Sequence, residues 1–152
     1  MGIMYLTGIP LRTAEAPQGI LSFEFAGSLD AALLMLDSWQ GMAMRYAGLN
    51  LAFDYPFMLG YGLFLASFTE LIRRKANVGL LQRIGQLFVM GMLLAALLDA
   101  VENVALIRLY LGVESDMMAQ LAYWCAGVKF GLILLGITYI LITLVIRLIG
   151  KK

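Results

Sequence analysis

Three stretches of this chain are longer and more apolar than ordinary core helices. They run from about Ala47 to Ile72, from about Ile84 to Leu111 and from about Met118 to Ile149. An α-helix rises about 1.5 Å per residue, so roughly 20 mostly apolar residues cover the hydrocarbon of a bilayer. All three stretches meet that length. The last two exceed it, which predicts tilt or projection into the headgroups. The expected fold is all-α, an integral membrane bundle of three transmembrane helices. Composition agrees with this. Of 152 residues, 62% are hydrophobic and 14% charged, against about 45–50% and 25% in soluble domains. That balance excludes a disordered tail and an ordinary water-soluble enzyme. The formal net charge is +1, from 11 basic and 10 acidic residues. Without a basic block to grip phosphates, no nucleic acid is expected as a partner.

The opening residues, 1–28, read as a loop segment because Pro10, Pro17 and Gly19 interrupt them. They lack the charged start, apolar core and cleavage site of a signal peptide. Within them Ile20–Phe25 (ILSFEF) reads as a short extended piece. Ser28 then suits an N-cap for a helix over 29–46. On that helix Leu29, Leu33, Leu36, Trp39 and Ala43 form an apolar stripe, while Asp30, Asp37, Gly41 and Arg45 fall elsewhere. This predicts an amphipathic helix lying in the interface with its apolar face in lipid. The alternative is a fourth transmembrane helix. Asp30, Asp37 and Arg45 weigh against it, since a charge at a helix centre costs about 2.5–3.5 kcal/mol. There is no internal repeat, and residues 1–152 read as a single membrane domain.

Basic residues predict the orientation. Arg73, Arg74, Lys75 and Arg83 lie between the first two spans, and Arg147, Lys151 and Lys152 lie at the end. The connection between the second and third spans carries Glu114 and Asp116 and no cation. Positive-inside logic places the C-terminus in the cytoplasm and the N-terminus outside.

Ionisable residues inside spans are the candidates for function. Asp54 lies seven residues inside Ala47, Asp99 and Glu102 lie twelve and nine before Leu111, and Lys129 lies eleven past Met118. These offsets place all four about 10–18 Å below the outer ends. Asp99, Glu102 and Asn103 are spaced to share one helix face, as are Asn50, Asp54 and Tyr61. The expectation is a polar cluster of Asn50, Asp54, Tyr61, Asp99, Glu102, Asn103 and Lys129, with the lysine beside the carboxylates. A structural ion pair of Asp99 with Lys129 is the plainer reading. Asp54 has a second reading as well. It precedes Tyr55-Pro56, and proline is tolerated in a helix's first turn, so Asp54 fits an N-cap. If the helix starts earlier, Pro56 kinks it and frees the Ala52 carbonyl. Glu102 and Arg108 also fit residues that snorkel to water.

Gly127-x-x-x-Gly131 and Gly91-x-x-x-Ala95 permit close helix approach. The first pair lies nearly opposite Lys129 on the wheel, which points to a homodimer or larger membrane complex. Tyr110, Tyr123 and Trp124 fit an interfacial belt, and the ten methionines fit adaptable packing. The chain has no histidine and one cysteine, Cys125, so histidine-based catalysis and an internal disulfide are excluded. No metal and no cofactor is expected.

Leu11–Gly27 (LRTAEAPQGILSFEFAG), DYPFMLGYG in the first span and LLDAVEN in the second resemble small bacterial integral membrane proteins of unassigned activity. The resemblance implies a bacterial cytoplasmic-membrane protein and transfers no functional residue. The residues themselves favour a non-enzymatic protein. It would bind a lipid or amphiphile, or a partner transmembrane helix, through an outer-half polar pocket in the lipid bilayer. Two alternatives are proton- or cation-coupled transport as an oligomer, and an intramembrane carboxylate or metal-dependent enzyme using Asp99 and Glu102.

Overall fold

The computed structural model describes residues 7–149. Lys151, Lys152 and residues 1–6 of the opening segment lie outside the described residues. A short 3-10 turn, Ile9–Leu11, precedes five α-helices: α1 (Ile20–Glu24), α2 (Leu29–Ser38), α3 (Met42–Arg74), α4 (Gly79–Tyr110) and α5 (Asp116–Ile149). No strand occurs among the described residues, 83% of which are helical. Helices α3, α4 and α5 are long and apolar enough to cross a membrane. The all-α bundle with three candidate spans and a shorter N-terminal helix is therefore the fold of this chain.

Three local expectations need correction. Ile20–Phe25 is not extended, because α1 occupies Ile20–Glu24. Its Phe23 is buried and meets the Trp39 ring edge-on at 5.4 Å, so a tertiary contact overrides the β-forming residues of ILSFEF. The single helix over 29–46 is two pieces. Helix α2 stops at Ser38, Gly41 turns the chain at φ 59°, and Met42–Tyr46 open α3. That φ is open to glycine without the Cβ penalty other residues carry. At ten residues, α2 is about 15 Å long and too short to span. Its apolar stripe faces protein: Ala32, Leu36 and Trp39 are buried in a core. Finally, Asp54 is not an N-cap. Helix α3 begins twelve residues earlier, at Met42, and carries Pro56 in its interior.

Contacts divide the chain into two compact units. The first comprises Met1–Phe57 and Asp99–Gly127. Here the N-terminal segment packs on one end of the helices, through Leu11, Phe23, Leu36, Trp39, Leu51, Leu106 and Leu109. The indole of Trp39 donates its N–H to the Leu11 carbonyl at 2.8 Å, which satisfies a polar atom that burial would otherwise penalise. Ser28 caps α2 as its sequence position predicts, accepting from the Ala31 N–H at 3.3 Å. The N–H of Leu29 is taken at 3.0 Å by Asp116 Oδ1, from the first turn of α5. Helix α4 ends in a Schellman motif. Gly112 sits at φ 85°, and the Val113 and Gly112 N–H groups return to the carbonyls of Arg108 and Leu109 at 2.9 and 3.0 Å. Tyr110 is turned inward, so that a Cβ on Gly48 would meet its hydroxyl at 2.7 Å.

The second unit comprises Met58–Leu98 and Val128–Lys152. It packs by close approach. A Cβ on Gly62 would stand 2.6 Å from that of Ala96. One on Gly136 would collide with the Met92 terminal methyl. Tyr139 stacks on Phe88 at 4.9 Å and donates its hydroxyl to the Leu81 carbonyl at 2.9 Å. At the α3 terminus Glu70 accepts from Arg73 and Arg74 at 2.6 Å each.

Candidate functional site

The α-helical repeat brings Asp99, Glu102 and Asn103 onto one face of α4. All three are buried, at 3%, 1% and 1% exposure. Two of the three would carry charge in water, and burial of a charge is costly unless it is partnered. The amide of Asn103 donates from Nδ2 to the Leu51 carbonyl at 2.9 Å, joining α4 to α3. One residue before that carbonyl, buried Asn50 donates from Nδ2 to Thr7 Oγ1 at 3.0 Å. Asp54, one turn further along α3, is half-buried. The first unit thus holds Asn50, Asp54, Asp99, Glu102 and Asn103.

Tyr61 and Lys129 belong to the second unit. Tyr61 is half-buried there. Lys129 is buried, with its ammonium 4.9 Å from the centroid of the Phe130 ring, within reach of a cation–π attraction.

The Asn103 Oδ1 is a buried acceptor with no hydrogen-bond partner among the described residues. An acceptor left this way costs about 1–3 kcal/mol of desolvation. The complement of that amide oxygen is a donor such as a hydroxyl or ammonium group. Among the described residues there is no group of three or more Cys, Asp or Glu side chains placed to hold a metal ion. Cys125 is buried in the first unit.

Sequence spacing identifies the α4 face, but not its partners. The Leu51 carbonyl is a backbone group, one residue before the Ala52 carbonyl that Pro56 was expected to expose. Thr7 lies 43 residues from Asn50 and carries no local signal. Gly127 and Gly131 face open space, with nothing within 4 Å of an added Cβ. The close helix approaches are made at other glycines. Comparison with protein-family models, curated proteins and solved structures gives no match.

Proposed function

We propose that this is a non-enzymatic membrane protein whose first unit holds the polar head of a lipid or small amphiphile against the Asp99–Glu102–Asn103 face of α4. The observation that carries this reading is the buried Asn103 Oδ1, an acceptor with no donor on it among the described residues. A hydroxyl or ammonium on the ligand would answer it. The positive-inside pattern supports placing this end of the bundle in the outer half of a bacterial cytoplasmic membrane, with the C-terminus in the cytoplasm.

Native mass spectrometry of the full chain released from nanodiscs tests the reading. Wild type should retain a small amphiphile that Asn103→Leu and Glu102→Gln lose. Equal retention by all three proteins counts against it. Transport is the second reading. It is favoured by three ionisable side chains, Asp99, Glu102 and Lys129, each at or below 5% exposure inside helices long enough to span. Proteoliposomes that leave an imposed pH gradient unchanged would remove it.

A further inference from the structure

The opposite face of α4 carries a different feature. Arg108 follows Asp99 by nine residues, which is about half a rotation of the helix. It stands at the end of an open groove of about 240 Å³ between α4 and α5, lined by Val101, Val104, Ala105, Arg108, Met118 and Leu121. Ala105 is the buried floor, and Val101, Val104 and Leu121 are exposed at 38%, 50% and 38%. The groove lies wholly within the first unit.

Three observations bear on what covers it. The lining carries one formal charge, the Arg108 guanidinium, and the rest is apolar. That guanidinium is exposed in the last turn of α4 and makes no side-chain hydrogen bond or ion pair among the described residues. The Asp116 carboxylate, in the first turn of α5, is engaged by the Leu29 N–H and by Gln120. The groove is also smaller than the roughly 300–1,000 Å³ of pockets that enclose small ligands, and it is open along its side. It therefore suits a chain lying along it more than a molecule enclosed by it. From Val101 to Arg108 the groove runs about 10 Å along the helix. It ends two residues short of the α4 terminus at Tyr110.

We infer that this groove seats one phospholipid, with its phosphate on Arg108 and one acyl chain along Val101, Val104, Ala105 and Leu121. An arginine presents a planar fork of N–H donors that matches phosphate oxygens. An unanswered cation at the border of an apolar surface is the complement of a headgroup above a chain. The inference is independent of the Asn103 reading, since it uses the other side of α4 and an anionic group instead of a donor.

The test uses the full chain in nanodiscs of phosphatidylcholine with a minor share of phosphatidylglycerol, counting retained phospholipids by native mass spectrometry. Arg108→Gln should lower retention about fivefold, the effect of one basic residue at a membrane surface. Arg108→Lys should fall between the two, since it keeps the charge and loses the fork. Val104→Trp, which fills the groove while keeping Arg108, should also lose the lipid. Arg108→Gln should lower the count by the same factor in an Asn103→Leu background, which separates the two sites. Helicity and elution volume establish that each variant is folded. Retention equal to wild type in both Arg108→Gln and Val104→Trp overturns the inference. So does a change in oligomer mass with no change in lipid count, which would make the groove a contact between copies.

Discussion

The two units of this molecule satisfy their buried polar groups in opposite ways. In the second unit Thr69 and Thr143 are buried, and each hydroxyl bonds the carbonyl four residues back on its own helix, at 2.7 and 2.8 Å. Such bonds ask nothing of a neighbouring helix; between helices this unit uses close glycine approach, an aromatic stack and the Tyr139 bond to the Leu81 carbonyl. In the first unit the buried polar groups reach across the sequence, from Asn103 to Leu51, from Asn50 to Thr7 and from Trp39 to Leu11. Close approach at glycines marks helix spacing in one unit. In the other, directional bonds also select register, and they break if a helix slides by a residue. A polar site needs fixed donors and acceptors, so the first unit is the better place to look for one.

Six substitutions at five positions probe this contrast, each read by reversible unfolding in mixed micelles. Trp39→Ala should cost the most, about 3–5 kcal/mol, because it empties a core position and strands the Leu11 carbonyl. Trp39→Phe should recover most of that loss, leaving the share due to one hydrogen bond. Gly62→Val should cost about 1–3 kcal/mol, since the Ala96 Cβ cannot swing aside and the two helices must separate. Gly136→Ala should cost less, because the Met92 end that it meets is flexible. Asn103→Ala should cost about 0.6–1.7 kcal/mol, the range of interhelical hydrogen bonds in membranes. Thr143→Val should change stability by about 0.5 kcal/mol or less, since the hydroxyl bonds only its own helix. If Thr143→Val proves as costly as Asn103→Ala, the distinction between the units fails. If Gly136→Ala matches Gly62→Val, flexibility of the opposing atom does not decide the cost of close approach.

The long helices are legible in the sequence because a bilayer demands length and apolarity together, and few other structures supply both. Chain breaks are harder to read. The apolar period of α2 runs on through Trp39 and Ala43, so the residues 29–46 look like one helix until Gly41 is recognised as a turn. Asp54 is ambiguous because a proline two residues on suits either a helix start or a helix interior. Only the fold, which extends α3 back to Met42, decides between them. At the candidate site, the three-and-four spacing identifies the Asp99–Glu102–Asn103 face. Its partner is invisible locally, since Asn103 bonds a backbone carbonyl, and so is that of the neighbouring Asn50, which bonds Thr7 in the opening segment. Arg108 is equally visible as a residue, but its setting at the groove between α4 and α5 is a tertiary feature.

The bond from the Leu29 N–H to Asp116 Oδ1 links residues 87 positions apart. Translation at about 5–20 residues per second separates their synthesis by roughly 4–17 s. For that interval the helix over Leu29–Ser38 exists without the carboxylate that receives its first N–H. The N-terminal turn of that helix is thus completed by a side chain that opens the last helix.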